Sequence, residues 1–550
     1  MQPSSQQTFA QRLAHHARSR PGAALVIDRD HAISAGRLQQ EAAALAAGLA
    51  GVGVGAGDRV AIWLPNCAAW ITSFLACAHL GALVLAVNTR FRSVELADII
   101  DRGRADWLVL WPDFKGIDFE GIFNDVAGER MGRLRGIVAV REGSTAPAAA
   151  PAADAWRGLP VHDYRRLLAT SASPPAAAPD GPVLCFTTSG TTSLPKFVVH
   201  DQATLLRHGD AVAQACGYDG DSRVLAAAPF CGAFGFATLV GAFAYGAPIV
   251  CEPVFGAQAS AAAVRRHRVT HTFANNEALV GIMRAAAPGD LASARLFGFA
   301  SFAPGMDELH TLARDAGVAL AGLYGSSELQ ALAAIQPRAT PAAGSPAQCL
   351  PGGMLVHPAA RVRARDPESG ELLATGQSGE LEIRSPSLMQ GYLDDPQATA
   401  KACDEDGYFR TGDLGYALND RQFVFQARMG DSLRLSGFLV NPAEIERVVE
   451  ALPGVRACQV VGAVHDGKTV PYAFVLLHAS ARPDAQGWRA ACRKAMAGFK
   501  VPVAFTVLDE FPSVQSANSV KIQRYKLREM AERLLAEPHA SVDPKPLPLS

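Results

Sequence analysis

The chain has 550 residues, room for about three or four domains at roughly 150 residues each, and 49% are hydrophobic against 19% charged, which excludes a disordered or acidic solvating chain. Its 51 basic and 52 acidic residues leave a formal charge of −1, so there is no basic surplus for wrapping nucleic acid, and no nucleic-acid partner is expected. Ten cysteines without a CxxC pair suit reduced, buried thiols in a cytoplasmic protein, not a disulfide framework or a zinc ribbon.

Residues 1–20 lack the apolar core of a secretory signal. Apolar runs at 58–64, 82–87, 105–110 and 136–140 predict buried strands, with an apolar helix between the first two, the alternation of an α/β layer. Gly51, Gly53, Gly55 and Gly57 do not make a dinucleotide loop: Ala56 and Asp58 fall where G-x-G-x-x-G needs its third glycine, and a strand follows in place of a helix. Residues 144–181 are rich in Ala, Pro and Ser and are expected as a surface loop without a core, either a linker or an excursion within one large domain.

A strand at 183–187 then runs into Thr188, Ser189, Gly190, Thr191, Thr192, Ser193, Leu194, Pro195 and Lys196. Backbone N–H groups, hydroxyls and one fixed cation are what a polyphosphate needs. The Walker pattern is absent, and a plain polar turn is an equal alternative on composition alone. The uncharged stretch 224–251 is long enough to span a membrane, but Pro229, Gly232, Gly235, Gly241, Gly246 and Pro248 divide it into strand, turn, helix and strand of a core, so no transmembrane segment is expected.

Leu323, Tyr324, Gly325, Ser326, Ser327 and Glu328 offer an aromatic face, a tight glycine, hydroxyls and a carboxylate. Hard oxygens suit Mg²⁺, which arrives with substrate phosphates and needs only one or two carboxylates; alone, a solvated loop is the simpler explanation. In Gly407, Tyr408, Phe409, Arg410, Thr411, Gly412 and Asp413, with Arg428 beyond, a carboxylate can take ribose hydroxyls and a guanidinium can hold phosphate. By itself, a hairpin with an ordinary ion pair is the simpler explanation of that segment.

The texture changes near Asp431. Asn441, Pro442 and Glu444 make a helix start, Ile445, Val448, Val449 and Leu452 form one apolar face, and Pro453-Gly454 stops it. Strands at 457–464 and 470–477 about Asp466-Gly467, a helix at 488–496 and a strand at 504–508 complete a compact unit of about 110 residues. Residues 536–550 are Pro-rich and expected as a disordered tail.

These segments, in this order and ahead of Lys521, resemble the adenylate-forming superfamily of acyl-CoA synthetases, luciferases and peptide-synthetase adenylation domains. The resemblance runs from Leu64-Pro65-Asn66 and Asn88-Thr89-Arg90 to Lys521. It implies an α/β fold: a large N-terminal domain of layered α/β sheets plus a small β-barrel (1–429), and a small mobile α+β C-terminal domain (430–535). It likens Thr188, Ser189, Gly190, Thr191, Thr192 and Lys196 to the phosphate loop. Tyr324 and Gly325 match the adenine-stacking segment, Ser327 the phosphate-side hydroxyl and Glu328 the Mg²⁺ carboxylate. Asp413 resembles the ribose aspartate, Arg428 its neighbouring arginine, Gly437 the glycine that lets pantetheine pass, and Lys521 the catalytic lysine. Ser193 and Phe197 stand where the family usually has glycine, Gly430 where it has a charged hinge residue, and Gly232 where it has an aromatic or histidine gate, with Phe234 a candidate replacement.

The resemblance implies a two-step ligase. Carboxylic acid and Mg·ATP give acyl-adenylate and pyrophosphate, and coenzyme A then displaces AMP. Phe234, Phe236, Phe273, Gly298, Phe299 and Phe302 are candidate pocket residues for an apolar acid, a fatty acid first and an aryl acid next; plain core packing is their alternative. No aspartate near Phe234 awaits an ammonium group, which disfavours an amino acid. Asn275, Asn276 and Glu277 suit a helix cap or a polar substrate contact. Rival readings are transfer to a carrier-protein pantetheine and a non-catalytic ATP-binding protein.

Overall fold

The computed structural model describes residues 8–141, 155–187, 196–300, 306–336, 351–429, 433–435, 438–440, 442–465, 468–496, 498–515 and 520–536. The architecture is α/β, with a large N-terminal part and a smaller C-terminal α+β part. Contacts group the chain into two compact units: Met1–Ser189 with Pro195–Arg361 and Arg384–Phe409, and Gly190–Leu194 with Val362–Ile383 and Arg410–Ser550.

In the first unit, one sheet runs in the order Gly391–Tyr392, Phe197–Asp201, Pro182–Thr187, Leu83–Ala86, Arg59–Trp63, Trp107–Leu110, Gly136–Ala139, Leu159–Asp163, Ala155–Trp156. Its middle strands are parallel and made of β-branched and large apolar residues such as Val60, Ile62, Val84 and Val109, as strands covered on both faces require. A second sheet places Ala319–Tyr324, Leu296–Ala300, His271–Asn275, Val224–Ala226, Ile249–Cys251 and Ala24–Asp28 side by side, all parallel.

The helices Ala68–Leu80, Gln202–Cys216 and Ala233–Tyr245 share one apolar cluster with strands of both sheets. That is why the 224–251 stretch has no charge: every residue from Ala233 to Ala244 is buried. Among the described residues, no helix is long and apolar enough to cross a membrane. Gln202–Cys216 and Ala233–Tyr245 approach closely because Gly209 lies against Val240, where a Cβ would meet the carbonyl oxygen at 2.6 Å. Every described cysteine is a free thiol.

The segment expected as a core-free surface loop is partly structured. Ala155–Trp156 and Leu159–Asp163 form an antiparallel pair, and Tyr164–Leu168 is a short helix capped by Asp163, with Tyr164 and Leu167 buried. The Ala/Pro-rich flanks diluted the signal of six large apolar residues, Trp156, Leu159, Val161, Tyr164, Leu167 and Leu168, in the middle of the segment. Residues 142–154 lie outside the described residues, as does the tail beyond Ala536.

In the second unit, strands 361–365, 379–384, Phe409–Ala417 and Gln422–Arg428 lie in that order. Glu382 is fully buried among them, its two oxygens taken by the Nε atoms of Arg363 and Arg365 at 2.7 Å each. Removing one partner of a buried ion pair strands the others. Glu382→Gln is therefore expected to lower unfolding free energy by about 3 kcal/mol, as the urea midpoint of the purified protein would measure.

Toward the C-terminus, Pro442–Glu450, Val455–His465, Lys468–Leu477, Ala485–Ala495 and Phe505–Val507 follow the predicted order of helix, two strands, helix, strand. Ile445, Val449, Val460, Val475, Trp488 and Phe505 close a separate core. Asp466-Gly467, the predicted turn, lies outside the described residues.

Candidate functional site

The alternation of side chains along a strand explains the first half of the site. On Phe197–Asp201 the odd positions, Phe197 and Val199, face one way; Val198 and His200 face the other, and Lys196 continues their row. Tyr392 pairs directly with Val198, so it stands between Lys196 and His200. Lys196 Nζ lies 4.5 Å from the Tyr392 ring centroid, and Tyr392 Oη donates to Glu328 Oε1 at 3.0 Å. His200, fully buried, bonds through Nε2 to the carbonyl of Ser327 at 2.8 Å.

Glu328 and Ser327 sit in the turn that follows Ala319–Tyr324. Gly325 is required there: a Cβ would overlap the backbone carbonyl of Ala331, which folds back over it. The turn is completed by Gln330 and Ala331 at φ 60° and 57°, and by the Met389 amide donating to the Glu328 carbonyl at 2.8 Å. Behind the turn, His208 Nδ1 meets Ser387 Oγ at 3.0 Å, and Gln330 Nε2 donates to the Ser387 carbonyl at 2.9 Å. Burial pushes His200 down to about 4, against the Ser327 carbonyl and the charges of Asp201 and Glu328, which favour its protonated form. Burial, with His200 and His357 nearby, pushes His208 to about 3.

Phe197 was a departure at a position where glycine is usual. Its ring faces away from Lys196, is buried, and lies under the Arg102 guanidinium at 5.2 Å. The added bulk therefore enters the core and not the face that carries the lysine.

In the second unit, Asp413 and Arg428 are cross-strand partners, with Nη1 donating to Oδ1 at 2.7 Å and to the Thr411 carbonyl at 2.7 Å. Asp413 is 5% exposed. Its turn is pinned by Thr411 Oγ1 donating to the Leu381 carbonyl at 2.6 Å and by the Gly412 amide donating to Glu380 Oε1 at 3.1 Å. Burial raises the Glu380 carboxyl, and the nearby charges of Glu382 and Asp413 add to the rise.

Thr188, Ser189, Gly190, Thr191, Thr192, Phe302, Gly430 and Gly437 lie outside the described residues. Lys521 lies on Val520–Ile522, where its backbone pairs with Val514. The pocket candidates are not all brought together. Phe273 packs over Gly298 in the core that also holds Phe234 and Phe236, whereas Phe299 faces the opposite side of the sheet, against His310 and the helices Ala257–His267, Asn276–Ala285 and Met306–Ala316. Phe299 is a core residue: adjacent positions on one strand take opposite faces. Asn275 caps Asn276–Ala285, its Oδ1 accepting from the Ala278 amide at 2.9 Å.

Sequence reasoning missed Tyr392, His200 and Glu380. A histidine inside the apolar run Phe197–Asp201 and a Gly-Tyr pair ahead of Pro396 were the available signals.

The residues fit a magnesium ion that arrives with a triphosphate, since such an ion keeps waters and phosphate oxygens and takes one or two carboxylates. Glu328, its Oε1 accepting from Tyr392, would supply one, and among the described residues no group of three or more His, Cys, Asp or Glu could cage a metal alone.

The strand Ala319–Tyr324 of the parallel sheet delivers an aromatic ring, hydroxyls and a carboxylate at its C-terminal end, the end at which open α/β sheets bind their ligands. The chain belongs to the AMP-binding enzyme family, whose signature matches residues 13–393, with the AMP-binding enzyme C-terminal domain at 444–518; this is the adenylate-forming superfamily. It is 29% identical over 520 residues to a 3-[(3aS,4S,7aS)-7a-methyl-1,5-dioxo-octahydro-1H-inden-4-yl]propanoyl:CoA ligase of Mycobacterium tuberculosis, covering 93% of this chain and 97% of that one. It is also 29% identical to a feruloyl-CoA synthase of an Amycolatopsis species, covering 92% and 96%. Among solved structures, the O-succinylbenzoate coenzyme A synthetase of Bacillus subtilis in complex with AMP has the same fold, with a TM-score of 0.75 at 22% identity, covering 95% and 98%.

Proposed function

We propose that the chain is an ATP-dependent acid–coenzyme A ligase that activates an apolar carboxylic acid as its acyl-adenylate. The observation that carries this is the Glu328 carboxylate, fixed by Tyr392 beside Lys196 at the C-terminal edge of the parallel strands, within a chain matched by both domains of the family.

In this reading Tyr324 stacks on adenine, with Gly325 keeping the turn tight enough to admit it. Thr188, Ser189, Gly190, Thr191, Thr192 and Lys196 hold the β- and γ-phosphates, and Ser327 reaches the α-phosphate. Asp413 takes the ribose hydroxyls and Arg428 steadies that carboxylate. A magnesium ion bound with ATP through Glu328 would neutralise phosphate charge. Lys521 supplies a cation to the carboxylate as its oxygen attacks the α-phosphorus and the bond to pyrophosphate breaks. The C-terminal domain then turns about Gly430, and pantetheine enters past Gly437. The sulfur attacks the acyl carbonyl carbon, the carbon–oxygen bond to phosphate breaks, AMP leaves with the electron pair, and the thiol proton passes to solvent.

The sequence favoured a fatty acid. The relatives named above act on a fused-ring propanoate and on ferulate, which supports the aryl or cyclic acid as the second reading. The deciding experiment incubates the protein with Mg·ATP, coenzyme A and a panel of straight-chain, aryl and cyclic acids, and detects adenylate and thioester by mass spectrometry. Adenylate without thioester until a phosphopantetheinyl carrier is added would replace coenzyme A by the carrier. No pyrophosphate release with any acid would leave an ATP-binding protein without ligase activity.

A further inference from the structure

Tyr392 touches two residues that the proposed function assigns to the triphosphate and its metal, and nothing in that assignment uses it. Its place is built into the backbone. Gly391 and Tyr392 pair antiparallel with Val199 and Val198, the Gln390 amide donates to the Val199 carbonyl, and the Leu393 amide to the Phe197 carbonyl, each at 2.8 Å. Gln390 Nε2 adds a bond to Asp201 Oδ2 at 2.9 Å, and Thr399 Oγ1 accepts from the Tyr392 amide at 2.9 Å. Tyr392 is 9% exposed, so the phenol cannot swing out to solvent without taking the strand with it.

We propose that Tyr392 is the positioning residue of the phosphate end of the site: its hydroxyl orients the Glu328 carboxylate toward the metal, and its ring face holds the Lys196 ammonium at the adjoining phosphates. The inference rests on the ligase reading above and adds a residue to it.

The physical argument has two parts. A carboxylate on a flexible glutamate must choose one rotamer to bind a metal through one oxygen. A hydrogen bond from a buried phenol to Oε1 makes that choice in advance and leaves the orientation of Oε2 determined. A lysine ammonium on four methylenes loses rotamer freedom when it meets phosphate; residence over an aromatic face removes part of that cost beforehand. One side chain therefore sets the spacing between cation and carboxylate. The Met389 amide's bond to the Glu328 carbonyl ties the turn that bears Glu328 to the segment leading into Gly391–Tyr392, so the spacing does not depend on the phenol for its backbone.

The two contributions separate by substitution. Tyr392→Phe keeps the ring under Lys196 and removes the hydroxyl; Tyr392→Leu removes both. Mn²⁺ serves as the probe, since its free and bound forms are distinguished by electron paramagnetic resonance. In the presence of ATP, Tyr392→Phe is expected to weaken Mn²⁺ binding about tenfold, near the effect of Glu328→Gln, and to raise the Mg²⁺ concentration for half-maximal pyrophosphate exchange by a similar factor. The acid KM and the melting temperature should stay close to wild type. Tyr392→Leu should lose the same tenfold in metal affinity and a further several-fold in metal-independent ATP affinity, through Lys196. Wild-type Mn·ATP affinity in Tyr392→Phe, alongside weakened binding in Glu328→Gln, would overturn the role of Tyr392 and leave the ligase reading standing. Absence of Mn·ATP binding by the wild-type protein would overturn both.

Discussion

The Lys521→Ala variant is expected to lose about a thousandfold in the rate of adenylate formation while converting supplied acyl-adenylate and coenzyme A to thioester within about threefold of wild type. The magnitude follows from charge. A carboxylate and a triphosphate repel, and the bond-forming state places further negative charge on oxygens between them. A cation about 4 Å from such a charge is worth about 4 kcal/mol at an effective dielectric near 20. At tenfold per 1.36 kcal/mol this is about a thousandfold. The second step needs no such cation, because AMP departs as a stabilised phosphate and the nucleophile is a thiol. ATP–pyrophosphate exchange measures the first step, and single-turnover mixing of purified acyl-adenylate with enzyme and coenzyme A measures the second. Lys521→Arg keeps the charge on a differently shaped group, so it should recover only part of the first step. Equal losses in both steps would refute the assignment. The strand Val520–Ile522 is held by pairing with Ser513–Gln515, and Arg524–Ala536 behind it is anchored by Leu527 and Ala531. Circular dichroism melts should show the fold intact.

The layered architecture was legible because its strands are continuous apolar runs. The 58–64, 82–87, 105–110 and 136–140 runs became Arg59–Trp63, Leu83–Ala86, Trp107–Leu110 and Gly136–Ala139, each trimmed at its ends where the chain turns. Periodicity also gave the helix Pro442–Glu450, because proline, cap and apolar face agree locally. The candidate site was legible only as local strings. Tyr324 ends the strand that Ser327 and Glu328 follow within four residues, so the three could be read together, but the partner that orients Glu328 lies 64 residues later. Its pairing is set by strand register, which no local window contains. The same limit misplaced Phe299. Its neighbour Gly298 lies on the face shared with Phe273, and a one-residue step along a strand reverses the face, so an aromatic cluster in sequence split across two cores in space. Tyr164 and Leu167 were missed for the opposite reason: their short apolar segment was averaged with alanines and prolines that surround it.

Acid should destabilise the protein steeply between about pH 6.5 and 4. Three buried histidines are held neutral: burial pushes His16 and His200 down to about 4 and His208 to about 3. In the unfolded chain each returns to about 6.5. Between these limits the unfolded state binds the proton and the folded state does not, so stability is complete above pH 6.5 and falls as pH drops. Each histidine contributes up to about 1.4 kcal/mol per pH unit, and the three together about 4 kcal/mol per unit within the window. The structural reason is clearest at His200. The Ser327 carbonyl is an acceptor, so Nε2 carries the proton, and Nδ1 is buried without a hydrogen-bond partner. A second proton would place an unpaired charged donor in the core behind the turn that bears Glu328. Urea unfolding from pH 7.5 to 4.5 should give this slope, and His200→Asn and His208→Gln should each reduce proton uptake at pH 5.2 by about 0.9. If both variants kept the wild-type slope, the histidines would already be charged in the folded protein. Because His200 supports the Ser327 carbonyl directly, its variant should also lose adenylation activity before it loses cooperative unfolding, which separates the local role of this histidine from that of His16 beside Phe243.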